Sequence, residues 1–195
     1  MHIGVLGLQG DYEAHQKQLK SLEIGSSLVK LPHQLDEIDG LILPGGESTT
    51  MDKLIDRFNL RDKLIAFGKI KPIWGTCAGM ILLSKSIEEN QSDVKPFGLI
   101  DIDVRRTAFG RQVFSFTEVL TAELNGQKAS FEASFIRAPR ITRVGKDVSV
   151  LAEFNGEPVL VEKGNILASS FHPELGEETV LLRYFINKFF IGLDR

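Results

Sequence analysis

The chain has 195 residues, 43% of them apolar, enough to bury a sizeable core and suited to one domain, expected over 1–195. Its formal net charge is −3 and no block of Lys and Arg stands out, which excludes the electrostatic footprint of a nucleic-acid binder. The single cysteine, Cys77, excludes an internal disulfide; no basic leader and no window of roughly 20 apolar residues is present, so neither a signal peptide nor a membrane span is expected, and the cytoplasm is the expected compartment.

Residues 2–8 (HIGVLGL) read as a buried strand. Asp11 is placed to cap a helix over roughly 11–23. Residues 26–30 (SSLVK) form a second strand, stopped by Pro32, and 40–43 (GLIL) a third, ending at Pro44-Gly45-Gly46. Helical patterns cover about 48–58 and 60–69, the latter broken at Gly68. Residues 72–76 (PIWGT) make another strand and 78–85 (AGMILLSK) a helix. This alternation predicts a parallel sheet covered on both faces.

From 99 to 170 the pattern changes. LIDIDV, QVFSFTEVL, KASFEASFI, VSVLAEF, EPVLVE and NILASSF are strand-like runs, separated by Gly110, Asn125-Gly126, Gly145, Asn155-Gly156 and Gly164-Asn165. They predict one antiparallel section that returns to the main sheet. A final helix is expected over about 177–190, with Val180, Leu181, Tyr184, Phe185, Lys188 and Phe189 on one stripe.

Three segments carry candidate chemistry. Gly75-Thr76-Cys77-Ala78-Gly79 lies between a strand and an apolar helix, the setting of a nucleophile elbow with Cys in place of Ser. The turn is sharp and brings strand and helix together, so its flanking residues must be small. The helix N-terminus offers unpaired N–H groups and the positive end of the dipole. The pentapeptide alone fits a buried structural cysteine between packing glycines equally well. Phe171-His172-Pro173-Glu174 follows a strand-like run. A cysteine nucleophile needs a base, and the base needs a group that fixes its tautomer; His172 and Glu174, two residues apart across a rigid Pro, can supply both. The other histidines are poorer candidates: His2 in a terminal strand, His15 on a helix face, His33 in a Pro-flanked loop. Leu43-Pro44-Gly45-Gly46-Glu47-Ser48 is a Gly-Gly turn whose backbone N–H groups suit a phosphate or an oxyanion, with Ser48 capping the next helix. It lacks the Gly-Lys-Ser/Thr of a P-loop. No Cys pair, His-x-x-x-His or acidic calcium loop supports a metal, and Trp74 reads as core.

In chain order the three segments resemble the class I (triad) glutamine amidotransferases. LGLQGDYEAH, LPGGESTTM, IWGTCAGMILL, AFGRQ, FIRAPRI and SFHPEL narrow the resemblance to the glutaminase subunits of pyridoxal 5′-phosphate synthases, over nearly the whole chain. The resemblance implies a Rossmann-like (flavodoxin-like) α/β fold with a mostly parallel central sheet, helices on both faces and an antiparallel strand extension. It implies Cys77 as nucleophile, His172 as acid and base, and Glu174 as its orienting partner. Gly46, Glu47 and Ser48 would contact L-glutamine, with Gly46 and Ala78 N–H groups as oxyanion donors, and Arg106, Ile136 and Arg137 would complete the glutamine pocket. Thr107 stands where Asn is expected in this family, and Phe114 where an acidic residue is common.

The implied reaction is covalent hydrolysis of glutamine to glutamate and ammonia through a thioester, with no cofactor and no metal. The implied partner is a (β/α)₈-barrel synthase subunit that receives the ammonia in a hetero-oligomeric complex. Gln9, Gly10 and the start of the first helix are expected beside the site and under that partner. Two other readings fit the same residues: a glutaminase serving a different synthase, and a catalytically inactive binding subunit.

Overall fold

A computed structural model describes residues 1–88, 93–106 and 115–191. Thr107, Phe114, Gly110 and the whole AFGRQ run lie outside the described residues, as does the start of QVFSFTEVL.

The first half alternates as expected. Strand β1 (His2–Leu6) leads to helix α1 (Tyr12–Ser21), β2 (Gly25–Val29), a 3₁₀ turn over Pro32–Glu37, β3 (Gly40–Leu43), α2 (Ser48–Arg57), α3 (Arg61–Gly68), β4 (Ile73–Thr76) and α4 (Ala78–Leu83). The second half supplies β5 (Ser86–Ile87), β6 (Ile102–Arg105), β7 (Phe116–Leu124), β8 (Gln127–Phe135), β9 (Arg140–Val144), β10 (Ser149–Phe154), β11 (Glu157–Lys163), β12 (Ile166–Ser169) and α5 (Val180–Ile186). A π turn over Asn187–Ile191 continues α5, so the helix expected over 177–190 is shorter at its start and changes pitch near its end.

The central sheet has seven strands in the order β10-β11-β12-β4-β3-β1-β2. The five strands β2, β1, β3, β4 and β12 run parallel, which is the flavodoxin-like order, and β11 and β10 extend it antiparallel beyond β12. Both faces are covered, so β3, β4 and β12 are buried along their whole length instead of alternating. On one face, Leu19 of α1 and Leu181 and Phe185 of α5 join Ile3, Val5, Ile42, Trp74 and Leu167. On the other, Met51 and Ile55 of α2, Leu64 of α3 and Met80 of α4 join Leu41, Leu43, Ile73 and Ala168. Each such fully buried aliphatic side chain contributes about 1.5–3 kcal/mol.

The segment 99–170 is not one section returning to the main sheet. Only β10 to β12 enter it; β7 and β8 pair with each other, and β6 pairs with β5 and with β9 in a three-stranded sheet. The β7–β8 hairpin turns at Asn125-Gly126 and the β10–β11 hairpin at Asn155-Gly156, each pair with positive φ at both residues. That geometry matches strand twist and explains why Asn-Gly marks both turns. Hairpin β7–β8 covers the first face through Leu120, Phe131 and Phe135. Its end reaches the candidate site, where the Ser134 carbonyl accepts a hydrogen bond from the His172 N–H at 2.8 Å.

Candidate active site

The candidate residues gather where the parallel strands end, the place an open α/β sheet offers for a ligand. The loop after β1 brings Gln9 and Gly10, the loop after β3 brings Gly45 to Glu47, the end of β4 brings Cys77, and the end of β12 brings His172.

Cys77 has φ 48° and ψ −102°, a left-handed conformation in a non-glycine residue, as a strained elbow requires. Its N–H donates to the Ser169 carbonyl at 2.8 Å, so the neighbouring strand pins the turn. The demand for small flanking residues is literal. A Cβ on Gly79 would meet the Leu43 carbonyl oxygen at 2.1 Å, and one on Gly75 would meet the Leu83 Cδ1 at 2.5 Å. Cys77 Sγ lies 4.0 Å from the Ile136 carbonyl oxygen. Ala78 opens α4 directly after Cys77, so its N–H has no carbonyl partner inside the helix.

His172 and Glu174 are buried, and His172 Nδ1 is 2.7 Å from Glu174 Oε1. Burial by itself lowers the imidazole, but hydrogen bonding to Cys77 and then to Glu174 outweighs it and pushes His172 up to about 10. Burial works to raise Glu174, yet the charge that His15 takes up in acid and the hydrogen-bonded, charged His172 hold its carboxyl below the ordinary value. The imidazole is hydrogen-bonded to both the thiol and the carboxylate and favours its charged form.

Gly45 packs against the His172 ring, and Gly46 lines the pocket beside it. The Gly45 carbonyl accepts from the Asp11 N–H at 3.2 Å, and the Glu47 N–H donates to Gln9 Oε1 at 2.8 Å. Asp11 therefore does not cap α1 through its side chain; its backbone is used to hold the Gly-Gly turn. Ser48 is not the cap of α2 either. Glu47 takes that position, accepting from the Thr49 N–H at 3.0 Å and the Thr50 N–H at 2.6 Å. Against a burial penalty, hydrogen bonds from Thr50 and then Thr49 hold the Glu47 carboxyl down at about 2.

A pocket of about 330 Å³ opens among these residues, lined by Gly46, Glu47, Ser48, Thr49, Cys77, Ile81, Arg106, Ile136, Arg137 and His172. Every residue expected to touch the substrate lines it. Ala78 and Glu174 lie behind the lining, buried next to Cys77 and His172. Arg106 Nη1 donates to Thr49 Oγ1 at 2.9 Å, and Arg137 holds a positive φ of 46° at the end of β8. The two guanidinium groups give the pocket the chemistry to hold a carboxylate.

Several neighbours of the site escape a reading of local motifs. Thr49 and Ile81 are in the lining. His15, expected on a helix face without a carboxylate, is buried with Nε2 3.5 Å from Glu174 Oε2. Gln18, one helical turn on, donates through Nε2 to the Pro173 carbonyl at 2.9 Å and the Gly176 carbonyl at 3.2 Å. The available signal was register: Tyr12, His15 and Leu19 fall on one stripe of α1, so His15 shares the face that Leu19 buries. Among the described residues, no group of three or more His, Cys, Asp or Glu is placed to hold a metal ion, and no helix is long and apolar enough to cross a membrane.

An open parallel sheet carrying a cysteine elbow, a His–Glu pair and a Gly-Gly turn at its carboxyl end is the setting expected of a glutamine amidotransferase. The chain belongs to the SNO glutamine amidotransferase family, which matches residues 5–191. It is 48% identical over 190 residues to the pyridoxal 5′-phosphate synthase subunit PdxT of Thermosipho africanus, covering 96% of this chain and 98% of that one. It is 50% identical over 187 residues to the PdxT subunit of Thermotoga maritima, covering 95% and 98%. A crystal structure of a glutamine amidotransferase superposes with a TM-score of 0.87 at 44% identity, covering 95% of this chain and 97% of that one.

Proposed function

We propose that this chain is the glutaminase subunit of a pyridoxal 5′-phosphate synthase, working as one unit over 1–195. The observation that carries the reading is His172, held between Cys77 and Glu174 at the floor of a pocket lined by two arginines. The name of its relatives, pyridoxal 5′-phosphate synthase subunit, supports the particular synthase.

In this reading the glutamine α-carboxylate sits against Arg106 and Arg137, with Glu47, Ser48 and Ile136 shaping the rest of the pocket. The Cys77 thiolate adds to the side-chain amide carbon, and the carbonyl electron pair moves onto oxygen. The Gly46 and Ala78 N–H groups take up that charge; loss of one such donor costs on the order of 10²- to 10³-fold in other enzymes. The His172 imidazolium gives its proton to the departing nitrogen, the C–N bond breaks, and ammonia leaves behind a γ-glutamyl thioester. Neutral His172 then takes a proton from water, hydroxide adds to the thioester, and the C–S bond breaks to release glutamate and regenerate the thiolate. Glu174 stays ionised and keeps the imidazole in place.

Ammonia protonates in bulk water, so a partner that receives it should cover the pocket. We assign that role to a (β/α)₈-barrel synthase subunit in a hetero-oligomeric complex in the cytoplasm. The test is glutamate release by the chain mixed with such a synthase, for the parent and for Cys77→Ala. Release by the parent and none above background by the variant, with glutamine still bound, is expected. A variant within a few-fold of the parent would remove Cys77 from the chemistry.

A further inference from the structure

Glu174 Oε2 is a buried carboxylate oxygen that makes no hydrogen bond among the described residues, although Oε1 of the same group is tightly held by His172. Such an oxygen is costly to bury. The group facing it is the ring of His15, with Nε2 at 3.5 Å, itself wholly enclosed and 3.3 Å from the Thr76 hydroxyl. The proposed mechanism makes no use of His15.

We propose that His15 is a positioning residue: neutral, with its proton on Nε2, it steadies the outer oxygen of Glu174 so that the inner oxygen stays on His172. The inference rests on reading this site as a glutaminase. Tautomer follows from electrostatics. A bare nitrogen lone pair aimed at a carboxylate oxygen would repel it, so the N–H faces Glu174 and is shared with Thr76 Oγ1. Charge state follows from the surroundings. Among the described residues, Asp11 just before its own helix acts on the ring, His172 and Glu174 do so from the 172–174 turn, and β4 contributes the Thr76 hydroxyl and the Trp74 ring. Burial lowers His15 more than Glu174 raises it, and the charged His172 lowers it further. One carboxylate thus balances one imidazolium, at His172, while His15 contributes a dipole. Gln18 completes the clamp from the same helix by holding the Pro173 and Gly176 carbonyls.

The test uses side chains that place a donor differently. Gln puts its amide nitrogen where histidine Nε2 lies; Asn is too short, and Leu has no donor. Glutamate release is measured in the complex with the synthase. His15→Asn and His15→Leu should lose roughly ten-fold or more in kcat with KM for glutamine little changed, and His15→Gln should recover most of it. The second readout needs neither glutamine nor partner. The chain has four histidines, so ¹⁵N-histidine spectra can follow His172 directly, with the spectrum of His172→Asn making the assignment. His172 should titrate at lower pH in the Asn and Leu variants, by about one unit, and as in the parent in His15→Gln. An unmoved His172 titration in whichever of the Asn and Leu variants folds overturns the inference, as does a Gln variant as impaired as the Asn one. If the parent releases no glutamate with the synthase, the glutaminase reading fails, while the titration still decides the role of His15.

Discussion

A methyl group on the α-carbon of Gly45 would lie 2.2 Å from Cε1 of His172, closer than any real contact allows. The neighbour is the imidazole ring itself, tied to Glu174 through Nδ1, so it cannot yield without disturbing that partner. Gly45→Ala is therefore expected to lower glutaminase activity by about 100-fold, the usual scale for a displacement near 1 Å at a reacting group. Fold should be retained, because the clash is confined to the pocket floor. Steady-state glutamate release beside a denaturation curve checks both; parental activity in the variant would show that His172 does not act from this position.

The two ends of the His172–Glu174 pair should differ in their effect. The imidazole moves protons in both half-reactions, and the carboxylate only holds it. His172→Asn is expected to reduce kcat by on the order of 10⁴-fold or more, close to the loss from removing the thiol, and Glu174→Ala by less. Single-turnover measurement of thioester formation and breakdown separates the steps. A His172 variant as active as the parent would mean that another residue is the base.

Glu47 caps α2 with its carboxylate, so Glu47→Ala should destabilise the fold by about 1 kcal/mol. The pH dependence follows from the direction of its shift. The folded-state value, about 2, is below the ordinary 4.5, so the stabilisation is present above 4.5 and fades as pH falls toward 2. Because the side chain is exposed, water and salt weaken the effect, and the gap between parent and variant should be modest. Denaturant midpoints of the two proteins should differ at neutral pH and converge in acid.

Gating by the partner has a visible handle. The Gly45 carbonyl is held by the Asp11 N–H, and turning that peptide over to aim the Gly46 N–H differently would cost one hydrogen bond, about 0.5–1.5 kcal/mol. Docking can readily supply that much. Adding synthase without its sugar substrates should raise glutamate release by the chain; a rate that stays constant while the complex forms would rule gating out.

What could be read from the sequence was what is local in the chain. The elbow is five consecutive residues between a strand and a helix, and His172 and Glu174 are two apart. The parallel strands showed as short apolar runs because both sheet faces are covered. What escaped reading depends on distant pairing. His15 reads only as a residue on a helix face, and the packing of α1 against the 172–174 turn is what gives it a carboxylate neighbour. The Ser48 cap was displaced by Glu47, whose longer side chain can fold back onto two N–H groups. Strand β9, with three of its five residues Arg or Thr, has no strong apolar signature and gains its identity from β6 alone. The split of the 99–170 segment into three sheets likewise depends on which edges are free, a property no single run carries.

The hydrogen bonds from Gln18 to the 173–178 segment join parts of the chain up to 160 residues apart. Closing so large a loop is entropically expensive and occurs late in folding. The Cys77 turn is itself pinned by Ser169, so elbow and imidazole both wait for the last parallel strand to seat beside β4. On the reading proposed above, an incomplete chain carries a thiol whose turn and base are equally unformed, and free glutamine is spared until that strand has settled.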